Sequence, residues 1–157
     1  MVTAEYLQSH ALFGGVATDD LAMIIPRLQE QTYAAGDYVV REGENGSVMY
    51  FIRHGTAEVL KTVTETHETL CLAVLHEGDT FGEMELVDVQ SRSASVRALE
   101  PLTILALSSE DLFDIFREHE SAFIIILMNI AREISRRLRK MDALVASSLF
   151  HRAPDER

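Results

Sequence analysis

Residues 81–96 read FGEMELVDVQSRSASV, and this stretch decides how the rest of the chain is to be read. Gly82 and Glu83 open it, and a glycine there lets successive backbone N–H groups converge on an anion with no Cβ in the way. Arg92 follows, flanked by Ser91 and Ser93. Its planar guanidinium is suited to gripping two oxygens of a phosphate. A carboxylate cannot serve a phosphate, so Glu83 is suited instead to accepting hydrogen bonds from sugar hydroxyls. Phosphate plus ribose describes a nucleotide.

The run Phe81-Gly82-Glu83-Met84-Glu85-Leu86, followed by Arg92-Ser93-Ala94, resembles the phosphate-binding cassette of the cyclic nucleotide-binding domain family. That cassette reads roughly F-G-E-[LIM]-[AGS]-L, a variable stretch, then R-[SAT]-[AS]. The resemblance runs from about Leu12 to about Lys140 and takes in REGENG at 41–46, Gly55 and EGD at 77–79. It implies a regulatory sensor that binds a cyclic nucleotide monophosphate and repositions its C-terminal helices. The implied phosphate ligands are Arg92, backbone N–H groups near Gly82, Glu83 and Ala94, and the Ser93 hydroxyl, with Met84 inside the cassette. Glu83 would hold the ribose 2′-hydroxyl, and Val59 and Leu72 would line the base pocket. Ser93 matches the small hydroxyl of bacterial members that bind cyclic AMP, which favours cyclic AMP over cyclic GMP.

The chain departs from the family pattern at several positions. Glu85 stands where alanine, glycine or serine is usual, and Ser91 where proline is common. Arg136-Arg137-Leu138 resembles a triplet of bacterial members in which hydroxyl-bearing residues soon afterwards read adenine. Here Met141 and Asp142 follow instead. Arg139, Met141 and Asp142 are the base-contact candidates, Asp142 as an acceptor from a purine edge and an arginine by stacking; the plain reading of the basic cluster is a solvated face. The charge that Glu85 adds keeps a second reading open, a nucleotide-free structural or protein-interaction module with a degenerate cassette.

The chain of 157 residues is 47% hydrophobic, enough for one core, and its net charge of −11 opposes nucleic acid and anionic membrane. Cys71 is its single cysteine, which excludes an intramolecular disulfide. Its place in LCLAVL predicts a small buried hydrophobe in a reducing, cytoplasmic setting. The apolar run 122–128 is far below the ~18 residues needed to cross a bilayer.

The expected fold is α+β: a β-roll or jelly-roll barrel of about eight strands, flanked by an N-terminal helix and C-terminal helices that include one long helix. A single domain is expected over 1–149, with a helix at 18–28, a β-roll at 31–107 that holds the cassette 81–96, C-terminal helices at 108–149 and a tail at 150–157. Leu21, Ile24, Ile25 and Leu28 share one face of the first helix, although Pro26 sits late in it. Short β-rich runs at 38–40, 48–52, 57–63, 69–75, 95–99 and 102–107 are punctuated by glycines. TETHE at 64–68 reads as a hairpin tip. Ser108 to Asp111 reads as a helix cap and REHES at 117–121 as a bend.

Residues 122–149 contain neither proline nor glycine, and Leu127, Ile130, Ile134, Leu138, Met141 and Val145 recur at steps of three and four. Such a seam lies on its own barrel or on a second chain. A helix of about 28 residues, ~42 Å long, is more than one barrel covers, which favours a homodimer. A protein effector is also expected, its identity unknown. The seven residues after Phe150 are too short for a helix-turn-helix.

Catalytic patterns are missing. The six histidines are scattered without metal-ligand spacing, so no metal and no enzyme is expected. Glu83 and Glu85 lie too close together to straddle a glycosidic bond.

Overall fold

Strands β3 and β8 are buried on both faces, and the rest of the molecule is arranged around them. The computed structural model describes residues 2–84 and 90–152, with side chains described through residue 147. The strands are β1 (Gln29–Tyr33), β2 (Tyr38–Val40), β3 (Val48–His54), β4 (Ala57–Thr62), β5 (Thr69–Leu75), β6 (Thr80–Phe81), β7 (Ser95–Ala98) and β8 (Leu102–Ser108). They form two four-stranded antiparallel sheets, in the orders β1-β8-β3-β6 and β2-β7-β4-β5. Helices α1 (Ala4–Ser9) and α2 (Thr18–Ile24) precede the strands, and α3 (Ser109–Glu118) and α4 (Glu120–Arg152) follow them. This is the jelly-roll barrel flanked by helices that the sequence predicts.

Side chains alternate across a strand, so Met49 and Phe51 of β3 and Leu105 and Leu107 of β8 face one way. They pack with Leu7, Phe13, Leu21, Ile24, Leu112, Ile115 and Ile126 from the helices. Tyr50, Ile52, Ile104 and Ala106 face the other way and fill the barrel with Val40, Ala57, Leu75, Phe81 and Val96. Cover on both faces explains why these two strands read as nearly continuous apolar runs.

The first predicted helix is shorter than 18–28. α2 stops at Ile24, and Ile25–Arg27 tighten into a 3-10 turn with Pro26 at its start. Proline has no N–H to give, and its ring clashes with the preceding turn, so a regular helix does not pass through it. Ala17 is the N-cap, and Asp19 and Asp20 favour the positive end of the helix. The sequence reading missed α1, which Thr3 caps by accepting from the Tyr6 N–H at 3.2 Å. It also missed β1 as a strand and the two-residue β6.

At the other end, Ser108 Oγ accepts from the Asp111 N–H at 3.0 Å and starts α3 where the cap predicts. His119, with φ −140 and ψ 63, breaks the helix inside REHES. α4 then runs 33 residues, ~50 Å at 1.5 Å each. Its predicted seam divides: Ile130 is buried and Ile134 packs against the helical core, whereas Leu127, Leu138, Met141 and Val145 are exposed.

Cys71 is exposed, contrary to expectation. β5 is the edge of its sheet, and Leu70, Leu72 and Val74 are exposed with it. An apolar run signals burial only when something covers the strand, and no other strand lies beyond β5 among the described residues.

Candidate functional site: the cassette between β6 and β7

β6 delivers the chain to Gly82, whose φ of 76 lies in the left-handed region that a side chain disfavours. A Cβ there would also stand 2.6 Å from Arg92 Nη1 and 2.8 Å from the Val48 carbonyl oxygen. Gly82 therefore supplies both the turn and the close approach of Arg92.

Arg92 is held at backbone and side chain alike. Its N–H donates to Glu44 O at 2.8 Å, and its carbonyl accepts from Gly43 N–H at 2.9 Å. These bonds stitch the second half of the cassette to the loop 41–46. The side chain is 5% exposed, and Nη2 donates to Val48 O at 2.8 Å. The guanidinium carbon lies 5.7 Å over the ring of Tyr50, which stacks on Phe81. Burial raises the pKa of the Tyr50 phenol, with Arg92 opposing that shift. The cation thus rests against a neutral ring.

Glu83 is 3% exposed. A buried carboxylate needs a partner, and Arg137 of α4 provides one, with Nη1 at 2.9 Å from Oε1. Arg137 Nη2 donates to Thr80 O and, at 3.3 Å, to Thr80 Oγ1, and its Nε bonds Glu133 at 3.2 Å. The long helix is thereby fastened to the cassette.

These groups wall a cavity of about 120 Å³. Val40, Val59, Leu75, Phe81 and Val96 form its apolar side, and Gly82, Glu83, Met84, Arg92, Ser93, Ala94 and Arg137 the remainder. Seven residues singled out from the sequence, Val59 among them, therefore meet around one space. Leu72 does not: it is 53% exposed on β5, and Leu75 of the same strand stands on the wall. Arg139, Met141 and Asp142 are exposed on α4 and are not on the wall either. The placement of Glu85 lies outside the described residues.

Arg137 was seen in the sequence as part of a basic cluster but not as a site residue. One signal marks it: Ile130, Ile134 and Arg137 fall at i, i+4 and i+7, so the arginine continues the face that packs inward. Among the described residues, no group of His, Cys, Asp or Glu is placed to hold a metal, and no helix is long and apolar enough to cross a membrane.

A buried arginine and glutamate on a glycine turn between two strands of a jelly roll is an arrangement with relatives. Residues 30–119 match the family model described as "Cyclic nucleotide-binding domain", and the chain belongs to that family. It is 31% identical over 136 residues to the Cyclic AMP receptor protein of Thermus thermophilus, covering 87% of this chain and 61% of that one. The crystal structure of the Thermus thermophilus Catabolite Activator Protein superposes with a TM-score of 0.76 at 30% identity, covering 89% of this chain and 63% of that one. The regulatory domain of Toxoplasma gondii PKA, crystallised with cAMP, superposes at 0.65 and 26% identity, covering 71% and 42%. The chain spans less than two thirds of the length of each of these proteins.

Proposed function

We propose that the cavity takes a cyclic nucleotide, cyclic AMP ahead of cyclic GMP, and that occupancy repositions α3 and α4. Arg92 clamps the cyclic phosphate together with backbone N–H groups of the cassette and the Ser93 hydroxyl, and Glu83 accepts from the ribose 2′-hydroxyl. A cavity of about 120 Å³ is too small to enclose a whole nucleotide. The base then lies at its mouth beside Val59. The preference for cyclic AMP rests on the serine at position 93.

The observation that carries this reading is the pair Glu83–Arg137. The carboxylate assigned to the ribose is the one that holds the long helix, so a ligand hydroxyl arriving at Glu83 changes the terms on which Arg137 binds it. A ligand moves an equilibrium only through different affinities for its two states, and a shared carboxylate supplies such a difference. The chain on this reading is a sensor and not an enzyme, and α4 carries its output to an effector. The exposed Leu138, Met141 and Val145 give α4 an apolar stripe for a second copy of the chain.

Calorimetric titration with cyclic AMP and cyclic GMP tests the proposal. Cyclic AMP is expected to bind more tightly, and Arg92→Ala to weaken binding by about 2–4 kcal/mol, at least tens-fold. No heat with either nucleotide, or the same affinity without Arg92, would overturn it.

A further inference from the structure

Two consecutive carbonyls of the cassette are tied to residues that stand outside the cavity wall. The Arg92 carbonyl accepts from Gly43 N–H at 2.9 Å, and the Ser93 carbonyl accepts from Lys61 Nζ at 2.7 Å. Lys61 reaches there from β4 and is itself held by Glu42, whose Oε1 is 2.5 Å from Nζ. The other oxygen of Glu42 accepts from the Thr62 N–H at 3.1 Å, and the Glu42 N–H donates to Ser95 Oγ at 2.9 Å. The hydrogen bond from Lys61 holds the Glu42 carboxyl below its usual pKa, so this carboxylate stays charged.

A trans peptide is planar, and its C=O and the following N–H point in opposite directions. No cis bond occurs among the described residues. With the Arg92 and Ser93 carbonyls turned towards Gly43 and Lys61, the N–H of Ser93 points away from Gly43 and the N–H of Ala94 away from Lys61. Ser93 and Ala94 wall the cavity, whereas Glu42, Gly43 and Lys61 do not. Successive N–H groups turned to one side make a concavity suited to an anion.

We infer that Lys61 is a positioning residue for the phosphate: it turns the Ser93–Ala94 peptide so that two adjacent backbone donors, rather than one, face the bound anion. Lys61 does not touch the ligand. Gly43 orients the first donor through backbone alone, while the second depends on a side chain that substitution can remove. This inference rests on the cyclic nucleotide reading of the cavity.

The test compares wild type, Lys61→Met and Lys61→Arg by calorimetry with cyclic AMP and by amide nuclear magnetic resonance. Lys61→Met keeps the apolar stem and loses the donor; cyclic AMP is expected to bind about tenfold more weakly, since one oriented donor to a charged group is lost. The Ala94 amide shift on ligand addition should shrink while that of Ser93 persists, and Lys61→Arg should restore both. Weak binding of adenosine, which lacks the phosphate, should be the same in all three. Equal cyclic AMP affinity in wild type and Lys61→Met, or Ser93 and Ala94 shifts that change together, overturns the role of Lys61 and leaves the ligand reading standing. Failure of the wild type to bind any cyclic nucleotide overturns both.

Discussion

Gly46 and Arg92 compete for one space: a Cβ built on Gly46 would fall on the Nε and Cζ atoms of the Arg92 guanidinium. The backbone of Gly46 is therefore part of the slot in which the arginine lies, although the two residues are far apart in sequence. Nothing in REGENG by itself reveals this, because Gly46 does not need a left-handed φ.

Gly46→Ala is expected to push Arg92 out of its slot and to weaken cyclic AMP binding by at least about tenfold, as a misplaced charged clamp would. Gly36 provides the contrast, since it has φ +90 but nothing within 4 Å of a Cβ. Gly36→Ala should cost about 1 kcal/mol of stability through backbone strain alone and leave the affinity unchanged. Thermal melting and calorimetry on both variants separate strain from displacement, and equal affinities would count against the slot.

Arg137→Met retains the stem and removes the cation that Glu83 holds. Taking one partner from a buried ion pair is expected to cost about 1–3 kcal/mol in urea denaturation. Glu83→Gln in the same background should return part of that loss, because the two residues are coupled. Strictly additive losses across the four proteins would show that the pair is not what fastens α4.

His10 sets a pH dependence. It is 7% exposed, packs beside the Phe13 and Phe51 rings, and accepts from the Leu12 N–H through Nδ1 at 3.2 Å. Burial lowers its pKa below the ordinary 6.5, with Asp79, the Gly78 carbonyl and Glu133 opposing. The unfolded chain therefore takes up the proton first. The contribution of His10 to stability is complete above pH 6.5 and is lost as the pH falls towards the lower folded pKa, at no more than about 1.4 kcal/mol per pH unit. His10→Asn keeps an acceptor for Leu12 and does not titrate, so its urea midpoint should fall less steeply between pH 7 and 5. Parallel slopes would refute the assignment.

Leu138→Glu places a charge in the exposed stripe of α4. Sedimentation equilibrium is expected to show a dimer for the wild type and a folded monomer for the variant, because Leu138 is 59% exposed in the single chain. A wild type that remains monomeric at high concentration would remove the second copy from the proposal.

Much of the fold was legible because periodicity survives in one dimension. The runs at β3 and β8, the cap at Ser108 and the break inside REHES all express local rules, and each appears where the sequence puts it. One failure is local in cause and the other is tertiary. Pro26 overrode an apolar face that continued to Leu28, and Cys71 sits in a run whose composition is that of a core strand but whose place is the edge of a sheet. At the site, seven of the residues singled out around Arg92 share one cavity, whereas Leu72 and Leu75 lie on the same strand and only the three-dimensional register tells them apart.

The sequence by itself determined the barrel, the long C-terminal helix and the residues that gather at the cassette, since these follow from period, turn chemistry and the order of a short motif. Tertiary structure alone decided that Gly46 must be small, that Arg137 rather than its basic neighbours reaches Glu83, and that Lys61 holds the Ser93 carbonyl. Each of these is a contact between segments distant in the chain. Its specificity comes from distances of about 3 Å that no linear pattern encodes, because burial and charge pairing are settled only when the strands and the long helix come together.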